Sequence, residues 1–336
     1  MDVEVLKRAY EREKERRKQA EKLLEEKSRE LFLSYEERDK SHKQLELTNQ
    51  SLEKQQEELV QLINAYATVT DDLQLAAKLQ ADLLPDPEQT ATHSAHGYFQ
   101  PARFVAGDAY DYFKLSDDVF AFYIIDVEGH GTASAMTSFA IHSQLNPKYD
   151  GLCRRSLQNC KTHEDAVCAT VTELNSTFYN HKSQNKYFTM IYGLLDLKAG
   201  KVTWCQAGHP ALTISSGNKF SELGDGGFPV GTLEDPVFEA TSSKIEPGDR
   251  IAVYSDGAIE CFSNDGEAFG KARLHELLSE NSTHTQDECV TEIRKTLLKW
   301  NGSDEFSDDV TLLLIDYFGP SDGTTGSTTA QPTSSQ

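Results

Sequence analysis

No glycine and no proline occurs before Pro85. The stretch is instead rich in Glu, Lys, Gln, Leu and Arg, which favour helix, and it lacks the two residues that interrupt one. It predicts a single long helix. Apolar side chains recur along it at heptad spacing: Val3, Tyr10, Leu24, Leu31, Leu45, Leu52, Leu59, Tyr66 and Leu73 form one stripe, broken only by Arg17 and Arg38. A sustained heptad is the pattern of a coiled coil. The companion stripe, three residues on, is polar from Lys27 to Gln55 and becomes apolar at Leu62, Val69, Ala76 and Leu83. A helix of this length cannot bury its own stripe, so a partner helix is required, and the pattern predicts a parallel homodimer held chiefly by Leu45, Leu52, Leu59, Ile63, Tyr66 and Leu73. Two readings of the coil stay open. It is a solvated spacer with a dimer seam, or a signal-transmitting coil whose polar middle makes it easy to shift.

Charge narrows the partners. The net charge is -21, from 33 Lys+Arg against 54 Asp+Glu. Nucleic acid and anionic lipid surfaces both need positive charge, so neither is expected. Acidic side chains can instead gather around divalent cations. No run of about 18 apolar residues occurs, so no membrane span is expected. The N-terminus is charged throughout and shows no apolar signal core, so a cytoplasmic location is expected. The six cysteines are scattered, without a C-x-x-C pair. That pattern predicts reduced thiols and no zinc site.

Pro85 and Pro87 stop the helix. Beyond them the texture changes to short β-type runs at Val119–Val127, Tyr187–Leu197, Val202–Gln206, Arg250–Tyr254 and Val310–Tyr317. Helical stretches lie at Thr132–Gln144, His163–His181, Ala272–Ser279 and Thr285–Trp300. Strands outnumber βαβ alternations, which favours a layered α+β fold. Residues 319–336 are Gly, Ser, Thr, Pro and Gln with almost no apolar side chain, and a disordered tail is expected there. The domain reading is a coiled-coil helix over 1–84, a globular domain over 85–318 and a tail over 319–336.

Acidic residues mark the ends of the apolar strands. Asp126 closes Phe120–Ile125, Asp256 follows Ile251–Ser255, Asp308 and Asp309 precede Val310–Leu314, and Asp108 follows Gly107. Each taken alone could simply make a turn, as Asp-Gly commonly does. Several together at strand ends would repel one another unless a divalent cation neutralised them. Oxygen-only ligands suit Mg²⁺ or Mn²⁺. No P-loop, no G-x-S-x-G elbow and no cysteine with an evident partner offers another chemistry.

Six motifs in order resemble the metal-dependent PPM (protein phosphatase 2C-like) serine/threonine phosphatases, in their bacterial SpoIIE/RsbU-type branch. They are Gly107-Asp108-Ala109-Tyr110-Asp111, Asp126-Val127-Glu128-Gly129-His130-Gly131, Ala207-Gly208-His209-Pro210, Phe228-Pro229-Val230-Gly231, Tyr254-Ser255-Asp256-Gly257 and Ser307-Asp308-Asp309-Val310-Thr311. The lead-in helix Leu75–Leu84 also resembles that branch, so the similarity runs from about Leu73 to Tyr317. It implies an α-β-β-α sandwich with two Mn²⁺ or Mg²⁺ ions between the sheets. By resemblance, Asp126 bridges both metals, the backbone carbonyl of Val127 is a further ligand, and Asp256 and Asp308 supply the other metal carboxylates. Asp309 stands as the alternative to Asp308. Asp108 resembles an acidic residue that reaches a metal through water. Two cations about 3.5–4 Å apart activate water and clamp phosphoryl oxygens, so no protein nucleophile is needed.

The sequence departs from the branch at Ala106, where a glycine is usual, and at Glu128, where a small residue is common. His130 is a candidate general acid, or else a cap for the helix starting near Thr132. Arg103 is a candidate phosphate-binding residue, or else a surface arginine. His209 reads as a turn residue that holds the sheet. The resemblance implies a phosphatase acting on phosphoserine or phosphothreonine of a partner protein, of the anti-sigma-antagonist (STAS) type in a bacterial partner-switching pathway. Input to it comes through the coil, through an upstream regulator bound to the coil, or not at all. The rival readings are a non-catalytic phosphatase-like binding module, which predicts a lost metal ligand, and a coiled-coil adaptor, which predicts function without the aspartates.

Overall fold

The computed structural model describes residues 3–320 except 130, 150, 181–185, 218 and 304. The tail expected to be disordered lies outside the described residues from position 321 onward. The chain divides into two compact units, Met1–Asp72 and one beginning at Leu73.

Helix α1 runs over Val3–Ala81, so the expected helix is present and ends at the last turn before Pro85. None of its residues is buried. The heptad leucines Leu24, Leu31, Leu45, Leu52 and Leu59 are 56–69 % exposed in the single chain. Ion pairs one turn apart, such as Lys43 with Asp39 at 2.8 Å, line its surface. Pairs of this kind contribute only a few tenths of a kcal/mol each, to an order of magnitude.

The second unit is a four-layer α-β-β-α sandwich. One sheet has the order β1 (Glu88–Gln89), β2 (His93–Gln100), β11 (Val310–Tyr317), β10 (Arg250–Tyr254), β7 (Leu212–Ser216), β8 (Lys219–Leu223). The other has the order β3 (Ala109–Lys114), β4 (Val119–Val127), β5 (Phe188–Asp196), β6 (Lys201–Ala207), β9 (Ala240–Lys244). All ladder pairs within both sheets are antiparallel.

Period-two alternation explains why the strands read as unbroken apolar runs. In β4, Phe120, Phe122 and Ile124 face the opposite sheet, where Ile251, Val253, Leu313 and Ile315 meet them. The intervening Ala121, Tyr123, Ile125 and Val127 face outward, under α2 (Thr132–Leu145), α3 (Leu152–Asn159) and α4 (His163–Asn180). In β11 the same alternation sends Val310, Leu312 and Leu314 to α5 (Gly270–Glu280) and α6 (Gln286–Asn301). A strand covered on both faces has no polar side to show.

The sheets approach closely at Gly97 of β2, where an added Cβ would run into the ring of Tyr110 from β3. That ring is itself buried. Replacing Gly97 by Val is expected to overpack this crossing and to lower unfolding free energy by about 1–3 kcal/mol. Chemical denaturation of the full chain checks it. An unchanged midpoint would mean that the sheets separate at little cost.

Candidate metal centre

Strand pairing brings the acidic strand ends to one end of the sandwich. In one sheet, β3 and β4 pair antiparallel with Ala109 opposite Ile125, which places Asp108 beside the end of β4 that carries Asp126. In the other, β10 and β11 pair with Tyr254 opposite Leu312, so Asp256 and the Asp308-Asp309 pair meet at one end. The carboxylates feel one another across the sheets. Burial, and then the charges of Asp256, Asp308 and Asp309, push the Asp126 carboxyl up to about 7. Burial, followed by Asp126 and Asp309, raises Asp108 well above the usual carboxylate range. Burial, followed by Asp308 and Glu260, raises Asp256. Carboxyls pushed toward the neutral form by one another are a site that an added positive charge would relieve.

Among the described residues, no three carboxylate, imidazole or thiol side chains already stand together as a closed cation cage. Mutual repulsion opposes such closure in the absence of a counter-charge. The donor set at this end is oxygen only, which fits Mg²⁺ or Mn²⁺ rather than a soft metal.

The two adjacent aspartates before β11 have different surroundings. Asp309 is buried and both its oxygens accept backbone N–H groups, from Ala102 at 2.8 Å and from Gly107 at 2.7 Å. It therefore straps both ends of the loop that leads into Asp108. Asp308 is exposed, and one of its oxygens accepts the Asp309 N–H at 2.8 Å. Asp108 is 2 % exposed and accepts a hydrogen bond from the Thr311 hydroxyl at 2.6 Å. Ser255 links the neighbouring turns: its hydroxyl donates to the Asp309 carbonyl at 3.3 Å and accepts the Thr311 N–H at 3.0 Å.

Two glycines in this region are required by space. A Cβ on Gly257 would strike the carbonyl of Asp309, so the Asp-Gly sequence here serves close backbone approach. A Cβ on Gly107 would lie 2.7 Å from the Val127 carbonyl oxygen. Ala106 sits fully buried, and the Gln80 side chain satisfies both of its backbone groups, donating to its carbonyl at 2.8 Å and accepting its N–H at 3.0 Å. The departure from glycine at 106 is thus accommodated, and the glycine that the loop demands is Gly107.

Arg103 is exposed within the strapped loop, between the anchors at Ala102 and Gly107. His130 lies outside the described residues. Glu128 is exposed, and its carboxylate raises the Tyr187 phenol. Its backbone carbonyl accepts Lys186 Nζ at 2.5 Å and the Ser134 hydroxyl at 3.1 Å. Ser255 and Thr311 stand within the quoted motifs, and Gln80 within the lead-in helix, but sequence reasoning gave none of them a role, and it missed Lys186 altogether.

The Asp309 strap generates a prediction. Asp309→Ala should leave two buried N–H groups unpaired, lower stability by about 2–4 kcal/mol and speed hydrogen exchange at the Ala102 and Gly107 amides. Asp308→Asn should leave stability equal or higher, because it removes a like charge from the cluster. Equal losses in the two variants would contradict this difference in surroundings.

Residues 116–318 match the family described as Stage II sporulation protein E (SpoIIE). The chain is 29 % identical over 250 residues to Protein IcfG of Synechocystis sp., covering 69 % of this chain and 38 % of that protein. It is 24 % identical over 246 residues to Phosphoserine phosphatase RsbP of Bacillus subtilis, covering 73 % of this chain and 57 % of that one. It thus spans less than two thirds of the length of either relative. The solved SiaA-PP2C domain of Pseudomonas aeruginosa shares the fold, with a TM-score of 0.64 at 19 % identity over 75 % of this chain and 98 % of that domain. The two-sheet sandwich, the order of the motifs and the family match agree, and the chain belongs to the SpoIIE family, in the SpoIIE/RsbU-type branch of the PPM phosphatases.

Proposed function

We propose that the chain is a Mn²⁺- or Mg²⁺-dependent protein serine/threonine phosphatase acting on a phosphorylated partner protein. The observation that carries this reading is the gathering of Asp126, Asp256 and Asp308 from two sheets into one field of mutual repulsion. The name of RsbP, a phosphoserine phosphatase, supports the reaction class. In this reading Asp126, Asp256, Asp308 and the Val127 carbonyl hold two cations, and Asp108 contributes through water. Bound there, the ions would supply Lewis-acid activation of water and neutralise charge on the phosphoryl oxygens. The residues of the chain do the rest. Thr311 orients Asp108, and Asp309 fixes the loop that carries it. Arg103 stands exposed on that loop as the group to meet a substrate phosphate, for which a guanidinium fork is suited. We assign the second of the adjacent aspartates, Asp309, to the strap and the first, Asp308, to the metals.

The substrate is proposed to be a small STAS-type partner-switching protein. This rests on the family resemblance. The coil is proposed to pair two chains, because the heptad leucines of α1 are exposed in one chain and need a second stripe to bury them. The domain limits 1–84, 85–318 and 319–336 and a cytoplasmic location complete the reading. The binding-module alternative gains no support, since none of the four aspartates is missing.

Hydrolysis of p-nitrophenyl phosphate by the full chain should depend on Mn²⁺. Asp126→Asn should reduce it by more than about 100-fold and weaken Mn²⁺ binding in calorimetry, with far-UV dichroism unchanged. Full turnover by that variant at saturating Mn²⁺ would end the metal-centre reading.

The coil carries its own test. A chain starting at Ala65 should be monomeric by light scattering, while the full chain is a dimer. If the coil also transmits a signal, the truncation should shift the Mn²⁺ dependence. If the two forms share one metal dependence and turnover, the coil is a tether.

A further inference from the structure

Residues Ala207–Ala211 carry the chain from β6 of one sheet to β7 of the other. Gly208 makes the turn with φ 72°, and His209 follows it into the interior. The imidazole is 2 % exposed. Its Nδ1 lies 2.7 Å from the hydroxyl of Thr189, and Thr189 is the direct cross-strand partner of Asp126. Its Nε2 is buried and has no hydrogen-bond partner among the described residues, and the backbone of Tyr254, two residues before Asp256, lies near enough to favour the protonated ring against burial. The ring is thus inserted between the strand that presents Asp126 and the turn that presents Asp256. Its own backbone is held too. Gln206 donates to the His209 carbonyl at 2.6 Å and accepts the Gly226 N–H at 3.0 Å.

We infer that His209 is a positioning residue, a tie across the sandwich that sets the spacing between Asp126 and Asp256. The inference rests on the metal-centre reading above. Burial pushes the imidazole down to about 3, so it is neutral and adds no charge beside the aspartates. A neutral ring has one N–H. With the Thr189 hydroxyl donating to Nδ1, the proton sits on Nε2, the buried nitrogen on the side of the Tyr254 backbone. The ring, carried on the connection between the two sheets, then bears directly on the strand that presents Asp126. Two cations shared by Asp126 and Asp256 need those groups at a fixed separation, and a preset spacing removes a cost that binding would otherwise bear.

The test uses the full chain with Thr189→Val, His209→Gln and the double variant. Thr203→Val serves as a control, because Thr203 is a buried threonine of the same sheet whose hydroxyl has a partner of its own, Ser242 at 2.8 Å. Mn²⁺ binding is measured by calorimetry, and stability by thermal unfolding. Thr189→Val and His209→Gln should each weaken Mn²⁺ binding by roughly 10–100-fold, and the double variant should be no worse than the weaker single. Turnover at saturating Mn²⁺ should stay within about threefold, since the aspartates themselves remain. Thr203→Val should lower stability without changing Mn²⁺ affinity. Wild-type affinity in Thr189→Val, additive losses in the double variant, or an equal loss in the control would each overturn the inference. Thr189→Val is nearly isosteric and decides the matter even if His209→Gln does not fold. Failure of the wild-type chain to bind Mn²⁺ would overturn this inference and the metal-centre reading together, whereas normal wild-type binding with an unaffected Thr189→Val overturns the tie alone.

Discussion

Carboxylates that repel one another are held at one end of the sandwich, and much of the surrounding structure is arranged to keep them there. Asp108 and Asp126 are both driven toward the neutral form by burial and by neighbouring acids. Left to relax, such groups would swing into water. They are retained because each is fixed by something that does not depend on charge. Asp126 lies one residue from the end of a strand paired on both sides, and Asp108 is gripped by the Thr311 hydroxyl. Rigidity supplied by the sheets thus stores a local electrostatic cost, and a counter-charge arriving at that end would release it.

The pair Asp308-Asp309 shows how one step along the chain separates two environments. Side chains alternate sides at a strand entry. One carboxylate is therefore directed into the backbone of the 102–107 loop, where two N–H groups satisfy it, and the other remains exposed within reach of Asp126 and Asp256. The sequence left these two residues undecided, since both are aspartates before the same strand. Only the tertiary position of the loop, some two hundred residues earlier in the chain, distinguishes them.

What could be read from the sequence follows the same division between local and distant causes. Val119–Val127, Arg250–Tyr254 and Val310–Tyr317 were delimited to the residue, because strands buried on both faces are continuous apolar runs bounded by polar ones. β2 (His93–Gln100) was not found. It carries two histidines and a glycine, and its place in the sheet comes from pairing with β11 rather than from its own pattern. β9, with the sequence Ala-Thr-Ser-Ser-Lys, is a polar edge strand with no inward apolar face to announce it. The short α3 was missed for want of length. At the site, the aspartates were legible because strand ends concentrate them. Gln80 and Thr189 act through partners on other elements, and no local spacing records such contacts, whereas the Ala207-Gly208-His209-Pro210 motif showed His209 as a turn residue but not which groups it meets.

The loop carrying Asp108 is held from two directions, and the two holds differ in kind. Asp309 grips its ends from the position just before strand β11, which is locked on both sides within its sheet. Gln80 grips it one residue before Gly107, from the last turn of α1, with one amide meeting both backbone groups of Ala106. A strand in the centre of a sheet can move only with the sheet. The end of a helix is less constrained, because Gln80 is joined to the loop by its side chain alone. A displacement of that helical turn must either break two hydrogen bonds to a fully buried residue or draw the Ala106 backbone with it. Leaving that buried amide and carbonyl unpaired costs about 1–3 kcal/mol each, so the loop is expected to follow the helix rather than let go. Asp108 lies two residues from that grip. Its position therefore depends both on Asp309, which anchors Ala102 and Gly107, and on the helix, which holds Ala106 beside the second anchor.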